Sequence, residues 1–190
     1  MDAPAGLTKI EREAFSEVVR IAEITGSDFW NAANWTSGSR AVRLRHVAVE
    51  LVSGRVFGLH TQIDGLLASC LYLRLTQKRA ASPAHKILYG HILEEMPLLR
   101  KRDAVAALEA IPKPILSKIG AINDLRNRLV HLTTSPYNAA PQHRNATIRK
   151  EKLLYQGKDV FTAVGLEKFQ DDARAVVLGL VAVLKPREAA

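Results

Sequence analysis

The stretch AINDLRNRLVHL, residues 121–132, sets Arg126, Asn127, Arg128 and His131 within two turns of what reads as an apolar helix. They are either ordinary solvent-facing groups or chemistry that the helix presents. Histidine titrates near neutral pH and can move a proton to or from a reacting oxygen. Arginine keeps its proton and can grip two phosphoryl oxygens, which suits it to a developing negative charge. An amide such as Asn127 can orient either the imidazole or the phosphate. With Ile122 at the centre of the stripe, Ile115, Ile119, Leu125, Leu129 and Leu132 fall within about 80° of it on an ideal helix. Arg126 lies about 40° from the same centre, so its guanidinium needs a partner or a cavity. Asn127 and His131 are one turn apart and share a face. Arg126 and His131 are about 140° apart, and they meet only if the helix end distorts or a second subunit supplies half of the group.

Other polar side chains are candidates. Asp124 and Arg128, one turn apart, read either as an exposed helix pair or as a place where Arg128 adds to an RNA-binding surface. Arg144, Arg149, Lys150 and Lys152 cluster after a loop and either track an RNA backbone or sit on a solvated loop. His60 and Asp64, also one turn apart, are two ligands without a matching third, so no metal site is expected. They read as a helix-face hydrogen bond or as part of the Arg126 site. His46, which follows RLR, reads as part of a solvated basic face, and His85 and His91 as surface or core-edge residues. No phosphate-binding glycine loop, dinucleotide fingerprint, nucleophile elbow or His–Glu zinc helix occurs, and no cofactor is expected.

Composition sets the frame for these groups. The chain has 190 residues, 47% hydrophobic and 24% charged, which is an ordinary globular balance. A single domain over 1–190 is the expectation at this size. Lys and Arg number 27 against 19 Asp and Glu, a net charge of +8 that favours a polyanionic partner. Only five Phe, four Tyr and two Trp are present, without basic residues between them, so an aromatic base-stacking sheet is not indicated. Cys70 is the single cysteine, set in LLASCLYL, and reads as a small core side chain. No apolar run suits a membrane span, and the N-terminus lacks the pattern of a signal peptide, so no membrane role and a cytoplasmic location are expected.

Helical periodicity dominates the chain and predicts an all-α fold. Leu7, Ile10, Ala14, Val18 and Ile21 mark a first helix over about 7–25. A Gly- and Ser-flanked connector follows, in which Trp30 and Trp35 read as packing anchors, with stacking on a ligand as the alternative. A long helix from about Arg40 to Gln77 would span roughly 55 Å, more than one small core needs. Either Ser53–Gly54 kinks it or part of it packs on another subunit. Gly58 and Gly65 either permit a close crossing or are merely tolerated. Ser82 and Pro83 start a third helix, and Asp103 caps a short segment to about Ala110. The arginine–histidine helix runs from about Pro114 to Leu132. A loop over 133–150 and a small hairpin around Gly157 precede the last helix, about 163–184. Four to six helices with a long connection before the last make a helical bundle.

The R-N-x-x-x-H pattern of Arg126, Asn127 and His131 resembles the R-x(4–6)-H motif of the HEPN superfamily, the higher eukaryote and prokaryote nucleotide-binding domains. The order of a long helix carrying VFGLHTQIDGLLASCL, the arginine–histidine helix and a C-terminal helix agrees with it. The resemblance covers most of the chain as helix order, while the motif itself is short. It implies an all-α bundle, a homodimer with two motifs facing a shared cleft, and metal-independent RNA cleavage to 2′,3′-cyclic phosphate ends, in a toxin or defence protein that an antitoxin can accompany. It also implies an acidic residue on the long helix. Asp64 fits, and can pair with Arg126. The tyrosine that some toxins of the superfamily carry two residues after the histidine is replaced here by Thr133. A non-catalytic nucleotide-binding or protein-interaction module of the same kind is the alternative.

Overall fold

The computed structural model describes residues 6–26, 40–76, 87–108, 111–134 and 152–184; within them, the side chains of 40–46 and 133–134 are excluded. The chain is predominantly helical. Helix α1, Lys9–Thr25, begins at a capping box, in which Thr8 accepts from the Glu11 N–H and Glu11 accepts from the Thr8 N–H. It ends at Gly26, whose φ of 67° suits the left-handed cap. Helix α2, Arg40–Thr76, is followed by a π-helical stretch, Leu88–Leu93, then α3, Leu98–Leu108, and α4, Lys113–Thr134. Strands β1, Leu154–Tyr155, and β2, Lys158–Asp159, form an antiparallel hairpin, and α5, Ala163–Leu184, is the last element.

Two compact units divide the chain: residues 1–57 with 125–170, and residues 58–124 with 171–190. In the first, Phe15, Val18 and Ile21 of α1, Val52 and Val56 of α2, Leu125 and Leu129 of α4, and Leu166 and Phe169 of α5 are buried. Glu17 of α1 accepts from the Ala163 N–H and so caps α5, while the Gln170 amide donates to Ile24 O at 3.1 Å. In the second, Ile63, Leu67, Cys70 and Leu71 of α2, Val105 of α3, Ile119 and Ile122 of α4, and Val176 and Leu180 of α5 are buried. The Cys70 thiol points at Leu180 O, 3.8 Å away, and Tyr72 meets Tyr89 edge-on. The stripes expected on α4 and α5 are largely buried, whereas Ile10, expected in the stripe of α1, is exposed.

The length of α2 therefore has a simple use. The helix is unbroken through Ser53–Gly54, where Ser53 Oγ donates to Val49 O at 2.6 Å, and its apolar side chains enter the cores of both units. Neither Gly58 nor Gly65 has another atom within 4 Å of where a Cβ would stand, so neither marks a close crossing among the described residues.

Two sequence expectations change. Asp103 is not a cap: α3 starts behind Pro97, whose carbonyl accepts from the Arg100 and Lys101 N–H groups, and Asp103 lies in mid-helix beside Arg102 at 2.6 Å. A proline fixes φ and cannot continue an incoming helix, so the new helix begins directly after it. The described part of the expected third helix is π-wound, with the Glu94 N–H reaching back five residues to Tyr89 O at 3.0 Å. Its expected start at Ser82 and Pro83, with His85, lies outside the described residues, as do Trp30, Trp35, residues 135–151 and the side chains of His46 and Thr133.

Candidate functional site on the arginine–histidine helix

Pro112 and Pro114 set the start of α4: the Pro112 carbonyl accepts from the Ile115 and Leu116 N–H groups. From there the helix is regular to Thr134, past His131. No distortion separates Arg126 from His131, so they leave the axis about 140° apart and about 7.5 Å apart along it. Arg126 is half-buried, as its place beside the stripe requires, and its Nη1 donates to Asn127 Oδ1 at 3.2 Å. Asn127, Arg128 and His131 are exposed. Asn127 and His131 thus present an amide and an imidazole on one solvent-facing side, with the Arg126 guanidinium attached through the amide oxygen.

Arg128 has a role that its spacing did not reveal. Its Nη2 donates to Leu154 O at 2.8 Å and ties the helix to the hairpin. Local interactions fix the hairpin. Gln156 and Gly157 have φ of 47° and 82°, the two left-handed residues of a tight turn that matches strand twist. Tyr155 pairs with Lys158 and Leu154 with Asp159. The Asp159 carboxylate accepts from the Phe161 N–H at 3.1 Å, and the buried Tyr155 ring stands edge-on to Phe169 with centroids 5.5 Å apart. One side of the hairpin is held by an aromatic contact and one carbonyl by Arg128. Lys152 and Lys158 are exposed at its two ends.

Asp64 and His60 belong to the second unit. Asp64 Oδ2 accepts from Lys101 Nζ at 2.6 Å, and the same ammonium donates to Glu94 O at 3.3 Å. The Lys101 side chain is 1% exposed and that of Asp64 30%. Asp64 Oδ1 is buried without a hydrogen-bond partner among the described residues. The carboxylate considered for Arg126 is thus engaged by a lysine. His60 Nε2 lies 3.3 Å from Asn123 Oδ1, which gives His60 an amide partner on α4. Among the described residues no three His, Cys, Asp or Glu side chains gather into a group that could hold a metal ion. Arg144, Arg149 and Lys150, expected to contact RNA, lie outside the described residues.

Sequence reasoning missed Lys101 and Asp172. Each is a buried charge with a partner: Lys101 with Asp64, and Asp172, 2% exposed, with Lys118 at 2.9 Å. A signal was present. Lys101 stands three residues after Leu98 and four before Val105, and Asp172 three after Phe169 and four before Val176, each in the middle of a buried stripe. A charge in such a position requires an ionic or hydrogen-bonding partner.

No protein-family model, curated protein or solved structure matches this chain. Among the described residues no helix is long and apolar enough to cross a membrane.

Proposed function

We propose that the chain is a metal-independent endoribonuclease of HEPN type, acting through Arg126, Asn127 and His131 of α4. One observation carries the proposal: Asn127 and His131 are exposed one turn apart, and Asn127 is hydrogen-bonded to the Arg126 guanidinium. His131 accepts the proton of an RNA 2′-hydroxyl. The O2′–P bond forms, the P–O5′ bond breaks, and the departing 5′ oxygen takes a proton from water, leaving a 2′,3′-cyclic phosphate and a 5′-hydroxyl. The guanidinium binds the charged phosphoryl oxygens. Because Arg126 and His131 diverge on one straight helix, a second copy of α4 facing the first is the simplest way to bring both groups to one phosphate, so the active form is a homodimer. Asp64, already paired with Lys101, has no part in this scheme. The setting of a toxin with an antitoxin belongs to the same proposal.

The second reading is a non-catalytic nucleotide-binding or protein-interaction module of the same type. The divergence of Arg126 and His131 favours it, since a phosphate contact needs only one of them. An RNase assay with EDTA separates the two. Wild type should leave cyclic-phosphate ends on cellular RNA and elute as a dimer, whereas a folded His131→Ala variant should lose at least about 100-fold in rate, the usual contribution of a general acid or base. Equal cleavage by both proteins, or none by either, overturns the nuclease proposal.

A further inference from the structure

A group of exposed basic side chains lies where the hairpin meets α4. Arg128 Nη2 sits 2.8 Å from Leu154 O. Lys152 precedes Leu154 by two residues. Lys158 is paired with Tyr155, the next residue of β1. His131 follows Arg128 by one helical turn. Lys152, Lys158, Arg128 and His131 are all exposed. The acidic group of the hairpin, Asp159, is half-buried and turned to the Phe161 N–H. Lys152, Lys158 and Arg128 bring three positive charges to this surface, whose backbone is fixed by the tight turn, the Tyr155–Phe169 contact and the Arg128 hydrogen bond.

We propose that Lys152 and Lys158 of the hairpin are phosphate contacts for single-stranded RNA, with Arg128 latching the hairpin so that the bound strand runs beside His131. Arg128 is then a positioning residue, because its Nη2 bond to Leu154 O ties the hairpin to α4. RNA as the partner rests on the function proposed above; the placement of the cations does not. Charge complementarity supplies the affinity, and two lysines on a short, fixed hairpin give the strand a direction relative to α4 without selecting its sequence. Exposed lysines also lose little packing when changed, so these positions are suited to test.

The test is binding of a fluorescent 2′-O-methyl RNA 20-mer, which cannot be cleaved through its 2′ oxygen, across a salt series. The Lys152→Gln/Lys158→Gln protein should show a log K against log salt slope smaller by about 1.4, from about 0.7 per contact on a single strand. That corresponds to about 25-fold weaker binding at about 0.1 M salt. The Lys152→Arg/Lys158→Arg protein should retain the wild-type slope and affinity, which a purely structural role would not require. Wild-type binding unchanged by the Gln pair overturns the proposal, as does failure of wild type to bind the oligomer. Binding with the expected slopes but no cleavage of unmodified RNA upholds this surface and removes the nuclease.

Discussion

Removing Asp64 should destabilise the protein more than removing Lys101, although the two form one ion pair. The reason is their unequal burial, 1% for Lys101 and 30% for Asp64. In Asp64→Ala the ammonium keeps, among the described residues, only Glu94 O as an acceptor, at 3.3 Å, and stays buried. Leaving a buried charge uncompensated costs about 3–5 kcal/mol. In Lys101→Met the stem volume is nearly kept, and Asp64 can turn toward water; the cost is that of a lost partner, about 1–3 kcal/mol. The double variant Asp64→Ala/Lys101→Met removes the charge that made the first change costly. It should resemble Lys101→Met, so the double-mutant cycle should show coupling equal to the cost of Asp64→Ala, about 3–5 kcal/mol. Urea unfolding followed by circular dichroism reads this directly. With m near 2 kcal/mol/M, the midpoint of Asp64→Ala should fall by about 2 M. Equal or greater loss in Lys101→Met, or additive costs, would refute the reasoning that Lys101 is the buried charge. The outcome also bears on function: loss of RNA cleavage in an Asp64 variant counts for catalysis only after correction for the folded fraction.

Two glycines of α5 should respond oppositely to alanine. A Cβ on Gly165 would lie 2.0 Å from Asp159 O, a backbone atom that cannot step aside, so Gly165→Ala should cost about 3 kcal/mol or more in thermal unfolding. A Cβ on Gly179 would meet the Ile115 side chain at 3.5 Å, ordinary contact, so Gly179→Ala should gain up to about 1 kcal/mol from helix propensity. Gln156 holds a φ of 47° that non-glycine side chains resist, and Gln156→Asn should stabilise the hairpin by about 0.5–1 kcal/mol, seen as slower hydrogen exchange at the Val160 N–H, which bonds Leu153 O.

The long elements were legible in the sequence because their signals are local. Helix α5 was read at its observed bounds from Leu166, Phe169, Ala173, Val176 and Leu180, and α4 from Ile115 to Leu132, because spacing of three and four residues is set by the helix itself. Gly157 marked the hairpin for the same reason: a tight turn needs left-handed φ wherever the chain later goes. The half-burial of Arg126 followed from its angle to the stripe. What only the tertiary structure decided was partnership. Asp64 takes Lys101, 37 residues away; His60 takes Asn123; Arg128 takes a carbonyl 26 residues downstream. Many pairings satisfy the same list of donors and acceptors, and the path of the chain selects among them. The double use of α2 was likewise invisible: a stripe records that a face is buried, and the chain's return at α4 and α5 determines what buries it.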